Sequence, residues 1–176
     1  MIEDALPQRK RNRLEAFDYS APGAYFITVC TQNRRNLLGR VVGGGVPDAP
    51  EMQLSPIGEA VLRQIEQADK AQRVKVDKYV IMPNHIHMIL LVDSGASRTP
   101  PPTSRIRANE AVPRFVAGWK RLCHQAVGVN IFQRSYHDHV IRGEQDYLKI
   151  WQYIDSNAAK WAEDCFYNEA EEEEML

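Results

Sequence analysis

Two hydrophobic rhythms alternate along the chain. Gly23-Ala24-Tyr25-Phe26-Ile27-Thr28-Val29-Cys30-Thr31 is rich in β-branched and aromatic residues behind a Pro-Gly turn, and predicts a first strand. Segment 39–53 contains Gly43-Gly44-Gly45 and two prolines, which predicts a loop or a ragged hairpin. Ser55-Pro56 offers an N-cap with proline at the first helical position. Ile57, Val61, Leu62 and Ile65 follow at helical spacing and carry a first helix to about Asp69. Val74 to Met82 predicts a second strand, Pro83-Asn84 a turn, and His85 to Val92 a third strand.

Residues 94–104 are rich in Pro, Ser and Thr and predict an unstructured loop. Pro113 opens a second helix whose stripe is Phe115, Val116, Trp119, Leu122, Cys123 and Ala126. Ile131 to Arg142 predicts a fourth strand, broken by Gly143. Glu144 to Trp161 predicts a third helix with acids in its first turn. Its buried stripe is Tyr147, Trp151, Ile154, Ala158 and Trp161, which leaves Tyr147 as a core aromatic. The order is β-α-β-β-α-β plus a C-terminal helix. That is the α+β, ferredoxin-like arrangement: an antiparallel sheet with helices on one face and an added C-terminal helix.

The 176 residues, 44% hydrophobic and 26% charged, suit one domain with a real core. No run of eighteen apolar residues exists, so no membrane span is expected. No apolar stretch backs the N-terminal charges, and the expected compartment is the cytoplasm. Cys30, Cys123 and Cys165 lie far apart and read as small buried thiols rather than a disulfide framework or zinc site. The net charge of −1 hides an asymmetry. Seven acids and no bases fall in 163–176; setting them aside leaves 22 bases against 16 acids in 1–162. The expected layout is a basic arm over 1–20, a body over 21–162 and an acidic tail over 163–176. A basic body suits a polyanionic partner, although a solvated arm and tail would look the same.

Three constellations carry candidate chemistry. In a strand, side chains alternate faces, so His85 and His87 share one face while Ile86, Met88 and Leu90 point into the core. Imidazoles about 7 Å apart along a strand face can converge on one divalent cation; the spacing alone equally allows two histidines without a ligand. His137-Asp138-His139 repeats the pattern as a secondary site: second shell to a metal, DNA contact, or hydrogen bonding within the sheet. Tyr153 lies about 100° off the apolar stripe of its helix. Asn157, one turn later, shares its side. The pair reads as polar groups offered outward, against the plain alternative of a snorkelling surface tyrosine.

In combination, PGAYFITVCTQNRR, DKYVIMPNHIHMILLV and FQRSYHDHVIRGEQDYLKIWQYIDSNAAKW resemble the REP-associated tyrosine transposases, within the HUH superfamily of single-strand DNA nucleases. The resemblance covers roughly residues 9–168. It places the family's histidine pair on His85 and His87, its nucleophile on Tyr153 and its third metal ligand on Asn157. Asn157-Ala158 stands where the family usually has Asn-Pro, and Phe132-Gln133-Arg134 where it has Trp-Gln-Arg.

The resemblance implies a Mg²⁺- or Mn²⁺-dependent single-stranded DNA endonuclease and strand transferase. It would act at hairpin-forming repeats through a 5′-phosphotyrosine on Tyr153. It implies a cytoplasmic, nucleoid-associated protein of bacteria, favoured as a monomer over a dimer. Arg9, Lys10, Arg11, Arg13, Arg34, Arg35, Lys120, Arg121 and Arg134 are the candidates for phosphate contact. Tyr136 is a candidate for base stacking, with Trp119 better placed in the core. The alternative is a domesticated hairpin-binding protein with little or no catalysis. An RNA-binding ferredoxin-like domain ranks lower, because His85, His87 and Ile89 occupy the strand face where exposed aromatics are needed.

Overall fold

The computed structural model describes residues 21–43, 49–68, 73–93 and 111–168. The predicted arm over 1–20, the loop 94–104 and the end of the acidic tail lie outside the described residues. The apolar runs become strands β1 (Gly23–Cys30), β4 (Val74–Met82) and β5 (His85–Val92), and the ragged hairpin becomes β2 (Gly39–Val42) with β3 (Glu51–Leu54). Helix α1 spans Pro56–Ala68 and α2 spans Ala111–Val127. A short β6 (His137–Val140) and α3 (Glu144–Asp155) complete the set. The main sheet is antiparallel in the order β4-β5-β1-β6, the ferredoxin-like order. No described helix is long and apolar enough to cross a membrane.

Alternation assigns the two faces. Tyr25, Ile27 and Val29 of β1 pair with Leu90, Met88 and Ile86 of β5, and all six are buried in one apolar cluster. Helices α1 and α2 cover this face with Val61, Ile65, Val112, Phe115, Val116 and Trp119. Trp119 packs on Phe132 with ring centroids 5.0 Å apart. The other face carries Thr28, His85 and His87, and α3 lies against it. The added helix therefore sits opposite the other two.

Ser55 caps α1 as predicted: its Oγ accepts from the Gly58 amide at 3.1 Å and donates to the Leu37 carbonyl at 2.7 Å. Asn84, fully buried in the β4–β5 turn, ties the segment after β1 to that turn. Its carbonyl accepts from the Thr31 amide at 2.9 Å, and its Nδ2 donates to the Arg34 carbonyl at 3.2 Å.

Five expectations are corrected. The predicted strand Ile131–Arg142 is a strand only from His137 to Val140. Before that, Phe132 makes a single bridge to Thr31, and Lys120 draws the Gln133 and Ser135 carbonyls toward α2, at 2.7 and 2.9 Å. The predicted helix Glu144–Trp161 breaks after Asp155 and resumes as a 3₁₀ segment, Ala158–Glu163. Its stripe is not buried as a unit, because α3 rests on the polar face. Ile154 and Trp161 are buried, whereas Trp151 is exposed under the Lys78 ammonium and the half-buried Tyr147 donates to Asp77. In α2, which starts at Ala111 rather than Pro113, Leu122 and Ala126 are exposed, because the buried line runs through Val116, Trp119, Cys123 and Val127 beside them. Cys165 is exposed, unlike Cys30 and Cys123. Tyr136 is buried and cannot offer its ring to a base.

The first turn of α1 leaves no room for a side chain at Gly58. An added Cβ would run into the backbone carbonyl of Leu38. Gly58→Ala should lower stability by about 1–3 kcal/mol, read from chemical denaturation midpoints at unchanged slope.

Candidate active site

The β4–β5 turn starts the site. Asn84 Nδ2 has two carbonyl acceptors, Arg34 and Phe166, the latter at 2.7 Å. That fixes the amide orientation and turns Oδ1 toward His85 Nδ1, 2.9 Å away. Oδ1 only accepts, so His85 carries its proton on Nδ1 and presents a bare Nε2. Two residues on, His87 Nδ1 meets Thr28 Oγ1 of the neighbouring strand at 2.8 Å. The two imidazoles converge until their Nε2 atoms are 3.0 Å apart. Adjacent ligands of an ion bound at about 2.1 Å lie about 3 Å apart, so this pair fits one divalent cation.

Both rings are buried among aromatics. Phe26 stacks on His87 at 5.1 Å, and Phe166 covers His85 at 4.5 Å between centroids. Burial, helped by the Arg34 charge for His85 and by His85 itself for His87, drives both imidazoles down to about 3. They are neutral at pH 7, the form a metal needs.

Helix α3 and the 3₁₀ segment bring the other groups. Tyr153 is partly exposed, but its hydroxyl reaches 3.1 Å from His87 Nε2 and 3.3 Å from Asp164 Oδ2. Asn157 donates Nδ2 to the same Asp164 oxygen at 3.3 Å. Its own Oδ1 is buried without a hydrogen-bond partner, an orphaned acceptor suited to a cation. Burial first, then the Asp164 charge, push the Tyr153 hydroxyl up to about 12, while the Asn157 amide pulls the other way. His85, His87, Tyr153 and Asn157, predicted from 73 positions of chain, are thus gathered at one site. The residues fit a divalent metal: two neutral imidazoles, an orphaned amide oxygen and a carboxylate.

Asp164 was not singled out in the sequence, where it disappears into the acidic run. Asn84 and Thr28 were missed as well, and only Asn84's place before the first histidine could have flagged it. The docking of α3 also uses a β-bulge between Val76 and Lys78. Consecutive residues there both reach α3: Asp77 accepts from the Tyr147 hydroxyl, and Lys78 pairs with Asp155 at 2.7 Å.

The remaining candidates are scattered. Arg34 stands at the mouth, its guanidinium 5.0 Å from the Phe166 ring. It and Asn33 are the described non-glycine residues with positive φ, at 57° and 54°. Arg35, Arg121 and Arg134 are exposed. Lys120 is turned to the Gln133 and Ser135 carbonyls. Arg9, Lys10, Arg11 and Arg13 lie outside the described residues. His137 pairs with Thr28, and Thr28 with His87, so His137 occupies the same sheet row as the central histidine, two strands away. His139 bonds Asp146 at the surface at 2.9 Å.

No family model matches the chain. It is 31% identical to an uncharacterized protein of Haemophilus influenzae over 178 aligned positions, spanning 92% of this chain and 94% of that one. Among solved structures it is similar to a REP-associated tyrosine transposase bound to a REP hairpin, with TM-score 0.55 and 22% identity. That match covers 80% of this chain and 68% of the transposase. The resemblance read from the motifs is thereby borne out at the level of the fold.

The buried neutral imidazoles set a pH dependence. Unfolded histidines take protons near 6.5. The folded rings resist until about 3, so the unfolded state binds more protons across that window. Stability should therefore fall as pH drops from 6.5 toward 3, and His87→Gln should flatten the slope. Denaturant titrations at a series of pH values would show an equal slope in both proteins if the reading is wrong.

Proposed function

The chain belongs to one family with the Haemophilus influenzae protein, and from its likeness in fold to the transposase and from the site we propose that it is a metal-dependent single-stranded DNA endonuclease and strand transferase. The observation that carries this reading is the Tyr153 hydroxyl set against His87 Nε2, itself beside His85, with Asn157 meeting the tyrosine at Asp164. A hydroxyl 3.1 Å from one imidazole of a convergent pair suits attack on phosphorus.

Mg²⁺ or Mn²⁺ would be held by His85, His87 and Asn157. When bound, the ion polarises a non-bridging phosphate oxygen and offsets the negative field of Asp164. The imidazoles arrive neutral and their Nδ1 atoms are held by Asn84 and Thr28, so the Nε2 atoms need no rearrangement to face a cation. Tyr153 is stored as a phenol, its proton shared between His87 Nε2 and Asp164 Oδ2. Its oxygen attacks phosphorus in line, so that the Tyr153 O–P bond forms as the bond to the 3′-oxygen breaks, leaving a 5′-phosphotyrosine, and the proton that the phenol gives up ends on the departing 3′-hydroxyl. The new ester conserves the energy of the broken one, so a second strand's 3′-hydroxyl can reverse the attack without ATP. Arg34 at the mouth is placed to steady the phosphate.

The DNA partner is a hairpin of the kind that the similar transposase holds in its structure. Arg35, Arg121 and Arg134, with the basic residues of the arm, are the proposed backbone contacts. His137, on the row of His87, is proposed to face the bound strand rather than to hold the metal. A domesticated binding protein would not need the Tyr153 hydroxyl set against His87 and Asp164.

Incubation with a pool of single-stranded hairpin DNA and Mn²⁺ should give a covalent adduct on Tyr153, visible on denaturing gels and mapped by mass spectrometry. Chelator should abolish it. Tyr153→Phe should lose the adduct and keep hairpin affinity within about three-fold; a Tyr153→Phe protein that still cleaves would sink the mechanism.

A further inference from the structure

The carboxylate of Asp164 is the group around which the site closes. Its Oδ2 lies 4.0 Å from His85 Nε2 and 3.3 Å from both Tyr153 Oη and Asn157 Nδ2. One ligand atom each from His85, His87 and Asp164 fit within 4.8 Å of one another. The side chain is only 4% exposed. Among the described residues its ion-pair contact is an imidazole, not a lysine or arginine. A buried carboxylate without a full counter-charge is costly. A divalent cation between the two Nε2 atoms and the carboxylate removes that cost.

The backbone aims it. Phe166 N donates to Oδ1 at 2.8 Å, which holds that oxygen back and leaves Oδ2 directed into the site. The Phe166 carbonyl accepts from Asn84 Nδ2 at 2.7 Å, and the Phe166 ring lies over His85. One amide, Asn84, therefore positions both His85 and the turn that presents Asp164. We propose that Asp164 is a direct ligand of the metal, joining His85, His87 and Asn157, and that its anionic oxygen is what selects Mg²⁺ or Mn²⁺. Two imidazoles alone favour softer ions, and a carboxylate moves the set toward hard ones. The proposal rests on the metal-site reading given above and adds a residue to it.

The test is a Mn²⁺ titration of the full chain without DNA, followed by EPR of the free ion. Wild type should bind one ion. Asp164→Asn should weaken binding by at least about ten-fold, Asp164→Glu should recover part of it, and the neighbouring Glu163→Gln should leave it unchanged. Circular dichroism and the melting temperature without metal show whether each variant is folded. A readout that needs no variant is pulsed EPR on protein labelled with ¹³C at aspartate carboxyl groups. A ¹³C coupling to bound Mn²⁺ is expected. Wild-type affinity in Asp164→Asn, with loss in His87→Ala, would overturn the role of Asp164 and leave the metal site standing. Absence of the ¹³C coupling would do the same. No Mn²⁺ binding by wild type would overturn both.

Discussion

A single buried amide sets the geometry on which the rest depends. Asn84 accepts from His85, donates to the carbonyls of Arg34 and Phe166, and takes the Thr31 amide on its own carbonyl. Two stretches distant in sequence, 31–34 and the turn at Phe166, are thereby held to one two-residue turn. Replacing such a group strands several polar partners at once, each worth about 1–3 kcal/mol when left buried and unpaired. The turn is thus a structural joint and the orienting group for the first histidine. Fold and site cannot be altered independently there.

The sheet divides its labour by face. One side is an ordinary apolar interior under α1 and α2. The other carries two imidazoles, a threonine and the polar underside of α3. Placing histidines on a face covered by aromatics strips them of water and keeps them neutral. Placing a tyrosine there does the opposite for reactivity, since burial and a nearby carboxylate both hold its proton. The imidazoles are thus in the form a cation requires, and the tyrosine hydroxyl keeps its proton.

Much of this was legible in the chain, and the reasons differ element by element. Strands β4 and β5 and the turn between them carry a strong apolar run punctuated by Pro-Asn, and they fall where expected. Ser55-Pro56 announces α1 by a local hydrogen bond that needs no tertiary partner. The faces of β5 follow from alternation alone, which is why His85 and His87 were legible. Helix α3 was misread because its aromatics do not face an apolar core: Trp151 is covered by Lys78 and Tyr147 by Asp77. Periodicity reports apolar faces, and a helix resting on polar groups gives it little to report. The stretch before β6 read as strand because Ile131, Phe132 and Tyr136 are strand-like, although it is the Lys120 ammonium that claims its carbonyls. Asp164 was hidden by composition, one acid among many.

The bulge in β4 has a consequence for the environment in which the protein works. It turns Asp77 and Lys78 toward α3, so the helix bearing Tyr153 is fastened by a phenol–carboxylate bond, an ion pair and a cation over an indole ring, with Ile154 as its buried residue. Such polar fastenings at a partly exposed boundary are weakened by dissolved salt. Rising ionic strength therefore loosens the attachment of the tyrosine helix as well as any grip on phosphates. Under the proposed activity, cleavage declines more steeply with added salt than hairpin binding does, and the surrounding ionic medium becomes a coarse governor of how often the strand is cut.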